Sequence, residues 1–261
     1  MPLGWETDRA VLPILRYRAH RAYLLCDPEG HPKRAIFLAK VTARLKRAGV
    51  EPIHVAVDTY MDLPNTIREV SRIVQLETQA GARVHVNVSA SGKLAALGAA
   101  LAAMAHLTAG RGSVYYVPVL DYPSSEREKT RFGMSRGMKS DPIELPLFSL
   151  RLPNKAGQLV LVQLLANAQK TVTYTAARAN LSHKGFQGFG GENGQGGTRA
   201  SRTTWSVRFY RDVVRPLLDQ GLVESELTGR DRVLRLTRAG EYVACLSWPP
   251  GETLRLESKN V

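Results

Sequence analysis

Cysteine is scarce in this chain, with only Cys26 and Cys245 among 261 residues. Neither belongs to a CxxC pair or to a Cys and His spacing that would hold zinc. This argues against a disulfide framework and against a structural zinc site. Both residues fall in segments whose pattern predicts burial, so we expect two reduced core thiols in a reducing compartment.

Long apolar runs are also missing. The longest, residues 94–105, is too short to cross a bilayer, and the N-terminus has no secretory signal pattern. The sequence therefore predicts a soluble, cytoplasmic protein with no membrane partner.

Motifs of several common enzyme classes are absent as well. The chain has no Walker A loop, no G-x-G-x-x-G fingerprint and no HExxH motif. Its six histidines are scattered, and His85, within a strand pattern, is expected to be a core or sheet-face residue. We therefore expect no catalytic residue, no metal site and no cofactor.

Acidic residues are outnumbered by basic ones, 23 against 36, which gives a formal net charge of +13. Residues 1–150 contain 20 Lys and Arg against 14 Asp and Glu, and residues 151–261 contain 16 against 9. Such an excess favours a polyanionic partner or ligand. A solvated basic surface would give the same charge, so the motifs must decide between the two.

The stretch from Arg83 to Leu107 carries the clearest local pattern. Alternating valines predict a strand, and an Ala- and Leu-rich run predicts a buried helix. Between them lies a turn of small and polar residues, Ser89, Ala90, Ser91, Gly92 and Lys93. Backbone N–H groups at the start of a helix attract anions, so this turn is predicted to bind a phosphate. The alternative is an ordinary tight strand-to-helix connection.

The N-terminal half alternates strand and helix patterns. This predicts a Rossmann-like, doubly wound parallel sheet over residues 1–122 within an α/β fold. Ligands of such sheets bind beyond the carboxyl ends of the strands. We therefore expect the turn Gly4–Arg9, after a first strand at Met1–Leu3, to face the turn Ser89–Lys93. Thr7 or Asp8 is predicted to cap the first helix.

Residues 123–156 are predicted to link this domain to the next. Ser124–Asp141 is polar and is predicted to be an exposed loop or a small hairpin. Ile143–Leu150 alternates weakly and contains Pro146, which favours an edge strand.

Residues 157–261 are predicted to form a small winged helix-turn-helix domain. Helices are expected at residues 157–168, at 171–180 with Thr171 as cap, at 203–220, and at 237–246. The glycine-rich segment 184–198 is predicted to be disordered apart from its anchors Phe186 and Phe189. Two short strands around residues 228–232 would form a wing.

The third helix of this domain is predicted to have two faces. Its buried stripe would contain Val207, Tyr210, Val214, Leu217 and Leu218, and Pro216 should bend or break its last turn. Basic residues on its other face, just ahead of it and on the wing suit a DNA duplex. The predicted DNA-binding residues are Arg199, Arg202, Thr203, Arg208, Arg211, Arg215, Arg230 and Arg232. A solvated arginine face or a protein-contacting winged helix are the alternatives.

The segments PLGWETDR and VNVSASGK, followed by a winged helix, resemble the CARF (CRISPR-associated Rossmann-fold) transcription regulators of antiviral defence. The resemblance covers nearly the whole chain and lies in layout and turn chemistry. Family members have a full first strand, whereas Met1 leaves only a stub here.

This resemblance implies a homodimer that binds a cyclic oligoadenylate as its regulatory ligand. Carried over by position, the ligand-binding residues would be Gly4, Trp5, Glu6 and Arg9 of the first turn, with Ser89 to Lys93 of the second. The protein would then be a ligand-responsive regulator of transcription that binds double-stranded DNA. The alternatives are a ring nuclease that slowly cleaves the cyclic nucleotide, and a winged-helix regulator without a nucleotide ligand.

Overall fold

The computed structural model describes residues 1–27, 31–58, 61–108, 110–148, 150–186, 188–189, 199–229 and 231–250. The chain divides into two compact units, residues 1–150 and 151–261.

The first unit alternates helices and strands as the sequence predicts, and a short helix and two short strands follow at its end. In chain order its elements are α1 (Asp8–Arg16), β1 (Arg21–Leu25), α2 (Pro32–Arg47), β2 (Glu51–Val55), α3 (Leu63–Gln79), β3 (Val84–Asn87), α4 (Lys93–His106), β4 (Gly112–Tyr116), β5 (Val119–Asp121), α5 (Glu126–Phe132), β6 (Arg136–Met138) and β7 (Ile143–Leu145).

The strands of this unit pair in parallel where the sequence predicts a parallel sheet. β1 pairs with β2 and β3 pairs with β4, both in parallel. The N-terminal stub also runs parallel to β1, because Leu3 N–H donates to the carbonyl of Leu25 at 2.9 Å. The structure therefore has two separate parallel pairs, and their union into one doubly wound sheet stays a prediction.

Helix α4 is apolar around its whole circumference, and one side of it is buried. Ala95, Ala99 and Ala102 are inaccessible to solvent, and Gly98 lies so close to Ile67 of α3 that a side chain there would press on it. On the other side, Leu94 and Leu97 are 51% and 54% exposed. The predicted buried helix is thus present, with one apolar face left open to solvent in a single chain.

The caps of α1 and α5 differ from the sequence expectations. Thr7 occupies the cap position of α1, but its side chain makes no capping hydrogen bond. Within Ser124–Asp141, predicted as an exposed loop or hairpin, α5 forms because Ser125 accepts the N–H of Glu128 and caps it. β6 then pairs antiparallel with β5.

β7 lies at the edge of its sheet, antiparallel to β4. The predicted edge position is therefore correct, but the strand ends at Leu145, before Pro146, and is shorter than the predicted Ile143–Leu150. α5, β6 and β7 all fall within the first unit.

The second unit combines helices with a three-stranded antiparallel sheet of order β8-β10-β9. Its elements are α6 (Lys155–Ala166), β8 (Thr171–Thr173), α7 (Tyr174–His183), α8 (Arg199–Phe209), a π-helical turn (Tyr210–Val214), α9 (Arg215–Asp219), β9 (Val223–Thr228), β10 (Asp231–Leu236) and α10 (Arg238–Leu246).

The second predicted helix of this unit begins later than expected. Thr171–Thr173 is strand β8, paired with β10, and the cap of α7 is Thr173, which accepts the N–H of Ala176. Thr171 is therefore a strand residue and caps no helix.

The π-helical turn interrupts the third predicted helix before Pro216. The sequence predicted a bend or break only in the last turn, at Pro216. A π turn contains an extra residue and so shifts the helix face. Phe209 and Val213 are buried as a result, whereas Val207 and Tyr210 of the predicted stripe are exposed. The prediction was correct for Val214 and Leu217, both of which are buried.

Both predicted anchors of the glycine-rich segment pack on the core of the second unit. Phe186 is partly buried there, and the ring of Phe189 meets that of Phe209 edge-on at 6.1 Å. Residues 190–198, where disorder was predicted, lie outside the described residues.

The two cysteines are buried and form no disulfide, as predicted. Burial raises the pKa of Cys26 to about 11, which keeps this thiol protonated and unreactive. Across the described ranges, no helix combines the length and the apolar character needed to cross a membrane.

Candidate functional site

The turns that follow the N-terminal stub and β3 are in direct contact. The backbone N–H of Gly4 donates to the carbonyl of Ala90 at 2.6 Å. The predicted first and second turns are therefore side by side at the carboxyl ends of parallel strands, where open α/β folds bind ligands.

Glu6 and Arg9 of the first turn make internal contacts. Glu6 is 7% exposed, accepts the hydroxyl proton of Ser135 at 2.6 Å and lies 3.5 Å from the Arg9 guanidinium. Burial raises the pKa of Glu6, and the bonds from Ser135 and Arg9 oppose that shift. Arg9 also donates to the carbonyl of Val117 at 3.1 Å. Both side chains therefore hold the first turn in place through internal contacts. Their predicted contacts with a ligand stay predictions.

Ser89 of the second turn also has an internal partner. Its hydroxyl oxygen accepts the N–H of Val117 at 2.6 Å, and its own N–H donates to Asn87 Oδ1 at 2.8 Å. Asn87 is 1% exposed and donates in turn to the carbonyl of Arg9 at 2.8 Å. Asn87 thus ties the two turns together. We did not predict this role of Asn87 from the sequence. The available signal was a polar amide side chain at the end of a valine-rich strand.

Ala90 is buried, whereas the last three residues of the second turn are at least partly exposed at the start of α4. Gly92 is the cap residue and supplies no side-chain bond to the helix. Ser91 is partly exposed, and Lys93 is exposed. Uncapped N–H groups, a hydroxyl and an ammonium group at one helix start form an arrangement that binds anions.

Trp5 lies on the other side of the first turn, toward residues that follow β1. Its ring centroid is 5.2 Å from that of His31, and Lys33 Nζ is 5.0 Å from the ring. The indole N–H is buried and has no hydrogen-bond partner within the described part of the chain. His31 and Lys33 were missed from the sequence, although they too follow a parallel strand.

A cavity of about 340 Å³ opens beside Trp5 between α2 and α5. We call it the Trp5 cleft. Ile36 and Phe37 supply its apolar wall and Lys33 supplies positive charge, whereas Lys129 is paired with Glu126 at 2.8 Å. An aromatic ring with an unused donor beside an apolar wall suits a planar heterocycle such as a nucleobase.

Ser135 stands in the run Gly133–Gly137, which has the G-x-S-x-G spacing of a nucleophile elbow. From the sequence we expected no such motif, and that expectation was wrong. Ser135 lies immediately before β6 rather than between a strand and a helix, and it is inaccessible to solvent. Its hydroxyl donates to Glu6, so this serine has a structural role. Among the described residues, no group of three His, Cys, Asp or Glu side chains is placed to hold a metal.

The predicted basic face of the second unit is exposed. Arg208, Arg211 and Arg215 all face solvent, and Arg211 forms two hydrogen bonds to Asp212 at 2.6 and 3.0 Å. This pairing raises the pKa of Arg211 and lowers that of Asp212. Arg215 lies 3.7 Å from Asp219. Two of the three arginines are thus partly neutralised by neighbours.

The other predicted DNA-binding residues fall on two elements. Arg199, Arg202 and Thr203 belong to α8, so they extend the helix rather than precede it. The predicted hairpin is present as β9 and β10, and Arg232 is exposed near its tip. Arg230 lies outside the described residues.

Comparison with known proteins gives one family match. A family model described as "HFX_2341_N:-like, N-terminal" matches residues 1–122, a range that includes both turns of the candidate site. No curated protein matches the chain.

Two solved structures are similar to the chain at low identity. Protein VC1899 from Vibrio cholerae is 10% identical with a TM-score of 0.39, over 93% of this chain and 63% of that one. Enterococcus italicus Csm6 bound to cyclic hexa-2'-fluoro-hexa-dAMP is 12% identical with a TM-score of 0.36, over 84% of this chain and 57% of that one. The chain therefore spans less than two thirds of either protein's length.

Proposed function

We propose that the protein is a ligand-responsive regulator of transcription with two binding sites. Its first unit binds a phosphate-rich nucleotide, a cyclic oligoadenylate, at the joined turns. Its second unit binds double-stranded DNA through a winged helix-turn-helix.

The observation that carries the ligand proposal is the hydrogen bond between Gly4 and Ala90. It joins the first turn, which carries Trp5, to the second turn, which leads into the open start of α4. A nucleotide needs an apolar slot for its base and donors for its phosphate, and the two joined turns would supply one each. The cleft volume of about 340 Å³ falls within the roughly 300–1,000 Å³ that is typical of small-molecule sites.

The roles of the turn residues follow from their surroundings. Lys93 and Ser91, together with the backbone at Gly92, would hold a phosphate at the start of α4. Trp5 would stack on a base through its ring face. Glu6 and Ser89 would act indirectly, by holding the two turns in place.

The open face of α4 supports a homodimer. Leu94 and Leu97 are half exposed, and no residue of α4 after Lys93 is Asp, Glu, Lys or Arg. Exposed apolar surface on a helix is unfavourable in water and favours pairing with a matching surface. Two copies that pair on this face bring two phosphate-binding helix starts together, as a cyclic ligand with several phosphates requires.

The order of elements in the second unit supports DNA binding. The elements follow the order that is typical of a winged helix: a helix, a short strand, two further helical segments and the hairpin β9–β10. In such domains the last helix before the hairpin enters the major groove. Here that position is taken by the interrupted helix of α8, the π-helical turn and α9, which carry Arg208, Arg211 and Arg215 in that order, and the hairpin carries Arg232.

The decisive experiment combines an electrophoretic DNA shift with calorimetry on the full chain. The wild type should release heat with cyclic tetra- or hexa-adenylate, and its DNA affinity should change when that ligand is added. Lys93→Ala should weaken ligand binding roughly 10- to 100-fold and leave DNA binding intact. Arg208→Ala with Arg211→Ala should do the reverse.

Each half of the proposal has its own contradicting result. Absence of heat with both nucleotides, with DNA binding intact, would leave a winged-helix regulator without a nucleotide ligand. Unchanged DNA affinity in the double arginine variant would exclude this helix as the recognition element.

A further inference from the structure

Helix α2 presents an unusual concentration of positive charge. Its 16 residues include Lys33, Arg34, Lys40, Arg44, Lys46 and Arg47 and contain no Asp or Glu. Lys40, Arg44 and Arg47 are spaced i, i+4, i+7 and therefore share one face of the helix. That face borders a cleft of about 740 Å³ whose opposite wall includes Arg131 and Phe132, at the end of α5. We call it the basic cleft.

The charges in the basic cleft are only partly compensated. Asp8 is the one carboxylate among the described residues that line it. Asp8 Oδ1 accepts from Arg44 at 2.6 Å, and Oδ2 accepts the backbone N–H of Gly137 at 2.8 Å. Asp8 thus neutralises Arg44 and has both oxygens engaged.

The other three cations meet only uncharged groups within the described part of the chain. Lys40 donates to the carbonyl of Thr130, and Arg47 donates to the carbonyl of Ala43 at 3.2 Å. The Arg131 guanidinium lies 4.9 Å from the centre of its neighbour's ring, Phe132. Three positive charges therefore border one cavity without a counter-charge, which raises the local concentration of anions.

Thr7 adds an unpaired polar group to the lining of the basic cleft. It lines the cleft, it is buried, and its hydroxyl has no hydrogen-bond partner among the described residues. Buried hydroxyl groups in folded proteins are nearly always paired.

We propose that the basic cleft binds a compact polyphosphate anion, namely the triphosphate group of a nucleoside triphosphate. None of the residues Ser89–Lys93 lines it, so it is a second anion site in the first unit. Arginine pairs well with phosphate because its planar fork matches two phosphate oxygens at once. The three unpaired cations border one open cleft, which fits several phosphates held close together.

The test uses calorimetry on the full chain, with ATP and inorganic triphosphate as probes. The variant is Arg47→Ala with Arg131→Ala, because neither arginine holds another element in place. The matched control is Lys46→Ala with Lys139→Ala, which removes the same charge from exposed positions that do not line the cleft. Both probes should bind the wild type and the control with dissociation constants within about twofold. The cleft variant should bind them roughly tenfold or more weakly.

Several results would overturn the proposal. A control that loses as much affinity as the cleft variant would assign binding to general surface charge. Loss of binding in Lys93→Ala, with binding retained in the cleft variant, would place the anion at the α4 turn. Binding of a single-stranded oligonucleotide but of neither small probe would make this a nucleic-acid surface. Absence of heat with all probes would reject the site, whether or not cyclic oligoadenylate binds elsewhere.

Discussion

Asn154 Nδ2 donates a hydrogen bond to the backbone carbonyl of Asp212, 2.8 Å away and 58 residues later in the chain. In a regular α-helix that carbonyl would accept the N–H of residue 216, which is a proline and has none. Asn154 also caps α6, because its Oδ1 accepts the N–H of Gly157 at 2.9 Å. One side chain thus serves two helices of the second unit.

Replacing Asn154 should separate these two roles. Asn154→Ser keeps an acceptor for the cap and loses the donor to Asp212, whereas Asn154→Ala loses both. We expect Asn154→Ala to cost about 1–2 kcal/mol of unfolding free energy and Asn154→Ser to cost less. Chemical denaturation of the full chain measures both. Equal midpoints for Asn154→Ser and the wild type would show that the bond to Asp212 adds no stability.

Loss of the side-chain hydroxyl should affect stability at Ser89 and nucleotide binding at Ser91. Ser89→Ala leaves the buried N–H of Val117 unpaired and should cost about 1–3 kcal/mol of stability. Ser91 is partly exposed, so Ser91→Ala should leave stability unchanged and weaken nucleotide binding. Thermal melting combined with calorimetry distinguishes the two. A stable Ser89→Ala variant would contradict the bracing role assigned to this serine.

Asp212 should limit DNA binding by holding Arg211. Asp212→Asn removes a negative charge from the proposed interface and releases the Arg211 guanidinium. We expect affinity for duplex DNA to rise roughly two- to fivefold, with a steeper dependence on salt. An electrophoretic shift at two salt concentrations tests this, with Arg238→Ala on α10 as a control. A weaker complex for Asp212→Asn would mean that Asp212 supports the bound conformation.

The open face of α4 should determine the oligomeric state. Leu94→Glu together with Leu97→Glu places two negative charges on the proposed pairing surface, and both positions are solvent-exposed in a single chain. We therefore expect a folded monomer where the wild type sediments as a dimer. Leu120→Glu with Tyr122→Glu, also at exposed positions, is the matched control and should leave the dimer intact. A dimeric Leu94 and Leu97 variant would move the interface elsewhere.

His85 should make the stability of the first unit depend on pH. Burial lowers the pKa of His85, as does the charge of Arg83, and Glu144 opposes the shift. A histidine whose pKa is lower in the folded state contributes stability that is present above its unfolded pKa. That stability is lost as the pH falls below about 6.5. His85→Gln should flatten this dependence between neutral and mildly acidic pH. An unchanged slope of unfolding free energy against pH would contradict it.

Local patterns in the sequence were sufficient for several elements. The valine alternation before residue 88 and the Ala-rich run after Lys93 depend on neighbours within a few residues, so β3 and α4 were predictable. The π-helical turn was not predictable, because Asn154, which donates to the carbonyl of Asp212 within that turn, is distant in sequence. The side chains exposed at residues 207 and 210 were consequently assigned to the wrong face.

The candidate site was predictable only in part, for a related reason. Ser91 and Lys93 are on one turn, and their exposure follows from their polarity. The neighbours of Trp5 come from the start of α2 and from α5, and no local pattern connects those segments. Asn87 and Ser135 likewise became visible only when the two turns were brought together.

Gly133 gives the first turn a mechanical property. Its φ of 95° is in the left-handed region, and a side chain there would lie only 2.2 Å from the carbonyl oxygen of Trp5. The backbone at the end of α5 therefore packs directly against the backbone of the first turn. Met134 N–H donates to the carbonyl of Trp5 at 2.8 Å. The Trp5 cleft and the basic cleft share this wall. A displacement of the first turn by a ligand must carry α5 with it and so alter both cavities at once.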